Sequence, residues 1–434
     1  MHITKRLATC GLIAGLTVSL AACGGSTAPV GDTVEGDIAY AFWGTPARAE
    51  KVDAVISLFQ AEYPDATVQP EVADYLAYIE RLTVRAAGND LGCATGTQTT
   101  FLSQYAQNSV LRPLDDLIEG GQIDVSHIPE DVLAAGQIDG QQYMIPTGTF
   151  ARVLGYNETL AADAGAAEPS DDLTWDEYAA WLRSMQPNLP DGVYAGENEG
   201  GTFFTLTSWV IGHGEQMFDG QQLGFSKETL ADYFEFWLSL ADDGAVVPPS
   251  MISEQSGALE LTPIATGEAV AGTRDIPHLY IMEQALAGSD TPSPVGWFSM
   301  PSESPTQAAN VLGSNGISIP ESCTNVATAA AFIDFFANNT EAAIAFQSDN
   351  GILTNLEGQD ALLADADTPE GVKRNVSVLR ELTDANDLAT TTYPAGLSTL
   401  TNELLRLYQA VAFDEMTVTD AVDAFFVSAE DALD

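Results

Sequence analysis

An unbroken apolar run at residues 38–43 (IAYAFW) constrains the fold of this chain more than any other segment. A run of this length is typical of a strand buried on both faces of a mostly parallel sheet. Thr45 and Pro46 then supply a helix N-cap and a first-turn proline, and apolar residues recur at helical spacing until Pro64. Because residues 68–72 indicate a second strand, the order strand, helix, strand predicts an α/β lobe.

The alternation continues toward a segment rich in hydroxyl side chains. Residues 75–87 are predicted to be helical, residues 95–100 (TGTQTT) are interpreted as a loop, and another helix is expected from Phe101. Ligands of α/β lobes bind beyond the carboxyl ends of the strands. We therefore expect Trp43 and the 95–100 loop to lie at the ligand-binding edge.

A second lobe is predicted beyond an apolar strand that ends at residue 157 and could carry the chain from one lobe to the next. The following region is mainly helical, with a capping box at Thr174 and Glu177 and an N-cap at Ser226. Further strands are predicted at 265–272, 295–300 and 316–319, and further helices at 326–338, 397–413 and 418–433. The predicted lobes comprise residues 37–148 with 265–312, and residues 149–264 with 313–434.

The first 22 residues have the three parts of a secretory signal: Lys5 and Arg6, an apolar middle at 7–20, and a small-residue exit. The run LAACG at 20–24 resembles the lipobox at which bacterial lipoproteins are acylated on cysteine, which predicts lipidation of Cys23; the alternative is an ordinary secretion signal. Two acyl chains hold a protein stably on a bilayer. Residues 23–36 then comprise the lipidated cysteine and a flexible tether.

Composition and missing motifs exclude several classes of protein. The formal net charge of −47 excludes nucleic acid as a partner. No lysine lies in a P-loop motif, and neither G-x-S-x-G, H-E-x-x-H nor S-x-x-K occurs. No two of His127, His213 and His278 have metal-ligand spacing, so we predict no metal site. Cys93 and Cys323 could form a disulfide outside the cytoplasm, or both could remain buried free thiols.

The order of elements resembles that of a known family. The phrases that carry this resemblance are FWG (42–44), FLSQY (101–105), LDDLI (114–118), GQQYMIP (140–146), TWDEY (174–178), TGEAV (266–270), TRD (273–275) and AAFIDFF (330–336). The chain resembles the extracellular solute-binding proteins of ABC importers, specifically the carbohydrate-binding group that includes maltose-binding protein. The resemblance implies a periplasmic-binding-protein-like α/β fold, in which two α/β lobes joined by crossing hinge strands close over a ligand.

A sugar offers apolar C–H faces and hydroxyl groups, so its site needs flat aromatic rings beside fixed polar groups. The aromatic candidates at the predicted loop tips are Trp43, Phe150, Phe203, Phe204 and Tyr393. The hydrogen-bonding candidates are Gln98, Thr99, Thr147, Arg274, Asp275, His278, Asn315 and Ser398.

Several of these candidates have an equally simple structural interpretation. One of Phe203 and Phe204 is expected in the core, because both belong to a long apolar stretch. Arg274 and Asp275 could pair with each other instead of with a ligand. His278 lacks a partner histidine, which favours a hydrogen-bonding or structural role over metal binding.

The resemblance implies a monomeric capture protein that binds a sugar or oligosaccharide and delivers it to ABC transporter permease subunits from the outer face of the cell membrane. Such a mechanism requires no catalytic residue and no cofactor, so we predict that the protein is not an enzyme. The alternatives are a binder of another small solute such as a polyamine, a surface glycosidase with two carboxylates across a cleft, and an adhesin or sensor without a transport partner.

Overall fold

The fold was analysed in a computed structural model, which describes residues 33–253, 259–289, 292–304 and 306–433. The predicted signal peptide, Cys23 and the tether up to residue 32 lie outside the described residues. Within these ranges no helix is both long and apolar enough to cross a membrane.

The strands form one large mixed sheet and two small hairpins. In chain order they are β1 (Gly36–Trp43), β2 (Ala66–Ala73), β3 (Ala94–Gln98), β4 (Gln137–Ile138), β5 (Gln141–Gln142), β6 (Ile145–Asn157), β7 (Tyr194–Gly196), β8 (Phe218–Asp219), β9 (Gln222–Leu223), β10 (Ala269–Asp275), β11 (Val295–Phe298) and β12 (Leu312–Ser318). The large sheet has the order β2-β1-β3-β12-β6-β10-β7, with β11 also paired to β6. The hairpins are β4–β5 and β8–β9.

Helices cover both faces of the sheet and fill the second lobe. They are α1 (Pro46–Glu62), α2 (Tyr75–Ala87), α3 (Thr99–Gln107), α4 (Asp115–Glu119), α5 (Glu130–Ala134), α6 (Glu158–Asp163), α7 (Trp175–Met185), α8 (Phe203–Gly212), α9 (Lys227–Asp242), α10 (Pro249–Ser253), α11 (Pro263–Thr266), α12 (Ile276–Ala287), α13 (Val326–Asn338), α14 (Thr340–Phe346), α15 (Leu356–Ala364), α16 (Glu370–Asp384), α17 (Leu397–Ala412) and α18 (Val418–Leu433). Short 3₁₀ turns lie at Gln186–Asn188 and Leu259–Leu261.

The predicted helix caps are confirmed. The Thr45 side chain accepts the Arg48 amide, and the Ser226 side chain accepts the Thr229 amide. The capping box of α7 is complete, since Thr174 and Glu177 each accept the other's backbone N–H. These caps satisfy amides that a helix leaves without an internal partner, and they explain why the sequence located these helix starts closely.

Strand β6 belongs to both lobes. Its first half, from Ile145 to Ala151, pairs antiparallel with β12, and its second half, from Arg152 onward, pairs with β10 and β11. Thirteen residues at about 3.3 Å per residue give a strand of roughly 40 Å, long enough to run through both lobes. The predicted crossing strand is therefore confirmed.

Two further segments cross between the lobes beside β6. The second joins β11 to β12, and the third joins α16 to α17. The three segments are hydrogen-bonded side by side: the Arg152 amide donates to Val311 O at 3.0 Å, and the Leu312 amide donates to Ala389 O at 2.7 Å. The lobes are thus joined by a narrow band of neighbouring backbone, which is the geometry of a hinge.

Each lobe has its own hydrophobic core. The first contains Phe59 of α1 and Phe332 of α13 around the parallel strands, and a smaller cluster with Trp43 lies on the opposite sheet face. The second is built from large aromatic side chains, including Trp175 and Trp237, both fully buried. Burial of such side chains stabilises each lobe by about 1.5–3 kcal/mol per residue.

The packing differs from the predicted lobe boundaries. Residues 312–382 pack with the first lobe, because β12 inserts between β3 and β6 and carries α13 onto α1. Residues 265–312 are divided between the cores: Val270 and Phe298 join the second core beside β6, whereas Val295 and the buried side chains of α12 pack in the first, as the predicted boundary implies. Residues from 393 onward pack in the core of the second lobe.

Two local predictions are wrong. The segment 95–100 is not a loop: residues 94–98 form β3 between β1 and β12, and α3 begins at Thr99. The strand predicted from residue 265 begins only at Ala269, because Pro263 starts a helical turn that ends at Gly267 with a φ of +82°.

A disulfide joins Cys93 to Cys323, with a Cα–Cα distance of 4.9 Å. Cys93 immediately precedes β3 and Cys323 precedes α13, so the bond ties together two parts of the first lobe that are 230 residues apart. The structure thereby settles the choice between a disulfide and free thiols.

We expect Cys93→Ser and Cys323→Ser each to lower the free energy of unfolding by about 2–5 kcal/mol, because the unfolded chain regains the freedom of a long loop. Urea denaturation of both variants and of the reduced wild type measures this loss. The double variant should lose no more than either single variant, since one substitution already removes the bond. An unchanged urea midpoint would contradict the assignment.

Candidate ligand-binding cleft between the lobes

Two adjoining cavities lie between the lobes. The inner pocket has a volume of about 140 Å³ and the outer cavity about 820 Å³, and both are lined by Thr99, Leu312 and Tyr393. The larger volume falls in the range of small-molecule sites, about 300–1,000 Å³. Both cavities contact the crossing segments, so the cleft lies directly on the hinge.

The inner pocket takes its walls from both lobes and from all three crossing segments. It is lined by Tyr75, Gln98, Thr99, Thr100, Phe150, Arg152, Phe204, Asp275, Val311, Leu312, Gly313 and Tyr393. Six of the residues predicted from the sequence meet here: Gln98, Thr99, Phe150, Phe204, Asp275 and Tyr393.

Four aromatic side chains line this pocket: Tyr75, Phe150, Phe204 and Tyr393. Phe204 and Tyr393 meet edge to face with centroids 6.0 Å apart. Phe150 lies opposite Gly313 on the neighbouring strand, where a Cβ would come within 2.5 Å of its ring, so a glycine is needed there. Burial raises the pKa of Tyr393, whose phenol is hydrogen-bonded to Thr207 within the second core. Such rings can pack against the C–H face of a sugar.

An ion pair forms one side of the pocket. Arg152 of β6 and Asp275 of β10 are cross-strand partners, and the Arg152 Nη2 to Asp275 Oδ1 distance is 2.9 Å. The guanidinium also lies 5.3 Å from the Phe204 ring centroid. The guanidinium donors of Arg152 and the carboxylate acceptor of Asp275 are thereby held together beside the ring of Phe204. Sequence reasoning missed Arg152; its signal was a charged residue within an otherwise apolar crossing strand.

Fixed amide and hydroxyl groups form the opposite side. Gln98 Nε2 donates to Asn315 Oδ1 at 2.8 Å, and Gln98 Oε1 accepts from the hydroxyls of Tyr75 and Thr100. Asn315 is held in turn by the Asn350 carbonyl at 3.0 Å. Asn315 therefore lies behind Gln98 and orients it, whereas the sequence analysis expected a direct contact with ligand.

The outer cavity is polar and acidic. Its lining includes the amides Gln107, Gln137, Gln216, Gln221 and Gln307 and the hydroxyls of Thr390, Thr391 and Thr392. Asp139, Glu215 and Asp219 add three carboxylates, and none of its described lining residues is Lys, Arg or His. The described part of the chain contains no cluster of three His, Cys, Asp or Glu side chains arranged for a metal ion.

Three predicted contacts are buried away from both cavities. Trp43 packs among Tyr75, Tyr78 and Phe101, with ring centroids 5.4–6.3 Å away. Phe203 is 1% exposed and belongs to the second core, as its alternative interpretation proposed. Thr147 is buried on β6. Trp43 and Phe203 lie in the cores because their neighbours are apolar, although each stands at the end of a strand or helix.

Two further predicted contacts lie outside the cavity walls. His278 is half-buried on α12, with Nδ1 3.9 Å from Asp275 Oδ2. Ser398 is exposed on α17. Neither residue lines the inner pocket or the outer cavity.

Arg274 forms a buried ion pair within the second lobe. Its Nη2 lies 2.6 Å from Glu197 Oε1 and its Nη1 3.9 Å from Glu199 Oε1, while Nη1 also donates to the Thr273 carbonyl at 2.6 Å. Burial raises the pKa of Glu197, although the guanidinium opposes this effect. Arg274 therefore stabilises the lobe and does not line the cleft, which corrects its predicted role.

We expect Arg274→Ala to lower the free energy of unfolding by about 3–5 kcal/mol, because the substitution leaves buried carboxylates without their counter-charge. Arg183→Ala is the control, since the ion pair of Arg183 with Asp243 is exposed and its loss should cost less than about 1 kcal/mol. Urea denaturation compares the two variants. Equal losses would contradict the structural role of Arg274.

The bacterial extracellular solute-binding protein family matches residues 54–370, and the chain belongs to this family. A binding protein of Brucella abortus (strain 2308) is 26% identical over 246 residues, which are 55% of this chain and 56% of that protein. The chain thus spans about half the length of the curated relatives it matches.

Solved structures show the same fold. An ABC substrate-binding protein of Listeria monocytogenes, in complex with cycloalternan, has a TM-score of 0.75 at 19% identity, covering 92% of this chain and 98% of that one. An oligogalacturonide-binding protein of Yersinia enterocolitica has a TM-score of 0.77 at 17% identity, with the same coverage. The periplasmic-binding-protein-like fold predicted from the sequence is confirmed.

Proposed function

We propose that this protein captures a sugar or oligosaccharide in the interlobe cleft and delivers it to the permease subunits of an ABC importer. The observation that carries the proposal is the inner pocket, where aromatic rings (Phe150, Phe204, Tyr393) lie beside fixed hydrogen-bonding groups (Gln98, Arg152, Asp275). This pairing suits a ligand with apolar faces and a rim of hydroxyls. The outer cavity adds amides and hydroxyls for further sugar units.

The position of the pocket on the hinge supports capture by closure. Phe150, Val311 and Tyr393 belong to the three crossing segments, so a ligand in the pocket contacts the backbone that moves when the lobes rotate. Ser103 of α3 also donates to the Tyr393 carbonyl across the cleft at 2.6 Å. A ligand shifts such an equilibrium by its differential affinity for the closed state.

A polyamine is the second candidate ligand. The carboxylates Asp139, Glu215 and Asp219 on the outer cavity favour it, because no lining cation of that cavity compensates them. The sugar remains the first candidate, because the ammonium groups of a polyamine are donors only and cannot pair with the donor groups of Arg152 in the inner pocket.

A thermal-shift screen with neutral oligosaccharides, putrescine and spermidine tests the choice of ligand. We expect a sugar to raise Tm by a few degrees, because a ligand at 100 times its Kd adds about 2.7 kcal/mol to the stability of the folded state. Stabilisation by polyamines with none by any sugar would overturn the carbohydrate proposal. Recovery of the oligosaccharide intact distinguishes binding from glycosidase activity.

For the sugar that binds, Phe204→Ala should weaken affinity about tenfold, the loss expected for one stacked ring. Phe426→Ala is a matched control, because Phe426 is also a half-buried ring in the second lobe with a cation nearby, Lys227 Nζ at 5.5 Å, but does not line either cavity. Isothermal titration measures both. Equal effects would place the ligand elsewhere.

We further propose that acyl chains on Cys23 anchor the protein to the outer face of the membrane, with the residues between Cys23 and Val34 as a tether. The predicted tether is shortened at its end, because Val34 packs on the first core, Glu35 is hydrogen-bonded to Thr328 and β1 begins at Gly36. The tether keeps the capture domain near its permease and raises its local concentration there. Cys23→Ser in the full-length chain should move the protein from the detergent phase to the aqueous phase in a detergent-partition assay. Retention of the variant in the detergent phase would contradict the anchor.

A further inference from the structure

Two acid-bearing hairpins, one from each lobe, line the outer cavity. The first lobe contributes β4–β5 with Asp139 and Gly140 at its turn, and the second contributes β8–β9 with Asp219 and Gly220. We call Asp139 and Asp219, with their turns, the acidic lips of the cleft. The lips belong to different lobes, so their separation changes when the cleft opens or closes.

The backbone of each lip places its carboxylate at the tip. Asp139 has a φ of +52° and Gly140 +78°, a conformation typical of a tight two-residue turn. Gly220 has a φ of +62° in the second hairpin. Neighbouring side chains anchor both turns: Ile138 lies in the cluster around Trp43, and Phe218 lies in the core of the second lobe. The carboxylates are therefore exposed at positions that the cores hold fixed.

The cleft as a whole has an excess of negative charge. Glu215, which accepts a hydrogen bond from the Thr229 hydroxyl, is a third carboxylate on the outer cavity. Arg152 is the one cation among the described lining residues of both cavities, and Asp275 at 2.9 Å neutralises it. In a cleft with low-dielectric walls, uncompensated charges of one sign add to a strong local field.

We propose, resting on the proposed function, that this field selects neutral or amine-bearing oligosaccharides and excludes sugars with carboxylates. Closure around a uronate would bring further negative charge between the lips, and each unit would add to the repulsion. A neutral sugar adds no charge and so avoids this repulsion. A protonated amine is attracted by the lip carboxylates. The fold alone does not determine whether acidic sugars are accepted, since the Yersinia enterocolitica protein with this fold was solved in complex with saturated digalacturonic acid.

The binding test uses the sugar that gives the largest thermal shift, together with two derivatives in which a hydroxymethyl group is oxidised to a carboxylate or replaced by an aminomethyl group. We expect the carboxylate to bind at least roughly tenfold more weakly than the parent at low ionic strength, and the difference to shrink with added salt. The amine should bind at least as tightly as the parent. A carboxylate that binds as tightly as the parent would overturn the proposal.

The double variant Asp139→Asn/Asp219→Asn should recover most of the lost affinity for the carboxylate, measured relative to the affinity of the same variant for the parent sugar. The matched control is Asp191→Asn/Asp414→Asn. Asp414 has a φ of +58°, like Asp139, and Asp191 precedes the left-handed Gly192, as Asp219 precedes Gly220. Both control residues are exposed and lie outside the lining of both cavities. An equal recovery in the control would assign the effect to the overall charge of −47 and overturn the proposal.

A second measurement needs no sugar. A cysteine at the exposed cleft residue Thr390 (Thr390→Cys) is modified with methanethiosulfonates that carry either an ammonium or a sulfonate group, and the protein without this cysteine is the blank. The preference for the cationic reagent should fall roughly threefold in the Asp139→Asn/Asp219→Asn background at low ionic strength, and not in the control background. An unchanged preference overturns the acidic field even if no sugar binds, whereas failure of every sugar alone overturns the proposed function.

Discussion

The architecture depends on one long strand, β6, whose two halves pair in different lobes. The second crossing segment is aligned on β6, since β12 pairs with its first half and β11 with its second, and the third segment is aligned on the second at Val311 and Ala389. Without this strand the two cores would be separate domains on linkers, and no fixed cleft would lie between them. The backbone hydrogen bonds along β6 fix the positions of Phe150 and Arg152, from which the inner pocket is built.

Because of this arrangement, residues of the crossing segments that form the hinge also line the pocket. Tyr393 lines both cavities from the third crossing segment, and the Arg152–Asp275 pair spans two strands at the junction of the lobes. A ligand in the inner pocket would therefore touch the hinge backbone directly, and its effect on closure would need no relay through the lobes. The acidic lips act farther out, where their long-range field meets a ligand before the aromatic rings do.

The sequence was most informative where the signals are local. Helices α2, α13 and α18 begin and end where periodicity predicted, because their apolar residues recur at helical spacing, and Asp74 also caps α2. The lobe boundaries could not be predicted from local signals. They depend on β12 pairing with β3 and β6, which lie far from it in the sequence. The local sequence pattern of a strand does not show which other strand it will pair with.

The site was predicted in part for the same reason. Phe150, Phe204 and Tyr393 were found from residue type and place in the chain, and they do line the pocket. Trp43 and Arg274 had equally suitable side chains but lie in buried environments made by residues far away in sequence, such as Phe101 and Glu197. Residue type alone does not distinguish a ligand contact from a core contact or a buried ion pair.

The Cys93–Cys323 bond has a further consequence for a protein that works outside the cell. Most of the second lobe lies in the stretch of chain that this bond encloses. A single protease cut anywhere in that stretch leaves both fragments covalently joined, and the two halves of the hinge stay with them. Tension applied to the two chain ends would likewise bypass the enclosed residues, because the bond carries the force directly from one side of the first lobe to the other. The disulfide thus keeps the second lobe attached after a cut and shields it from tension, although the bond itself lies in the first lobe.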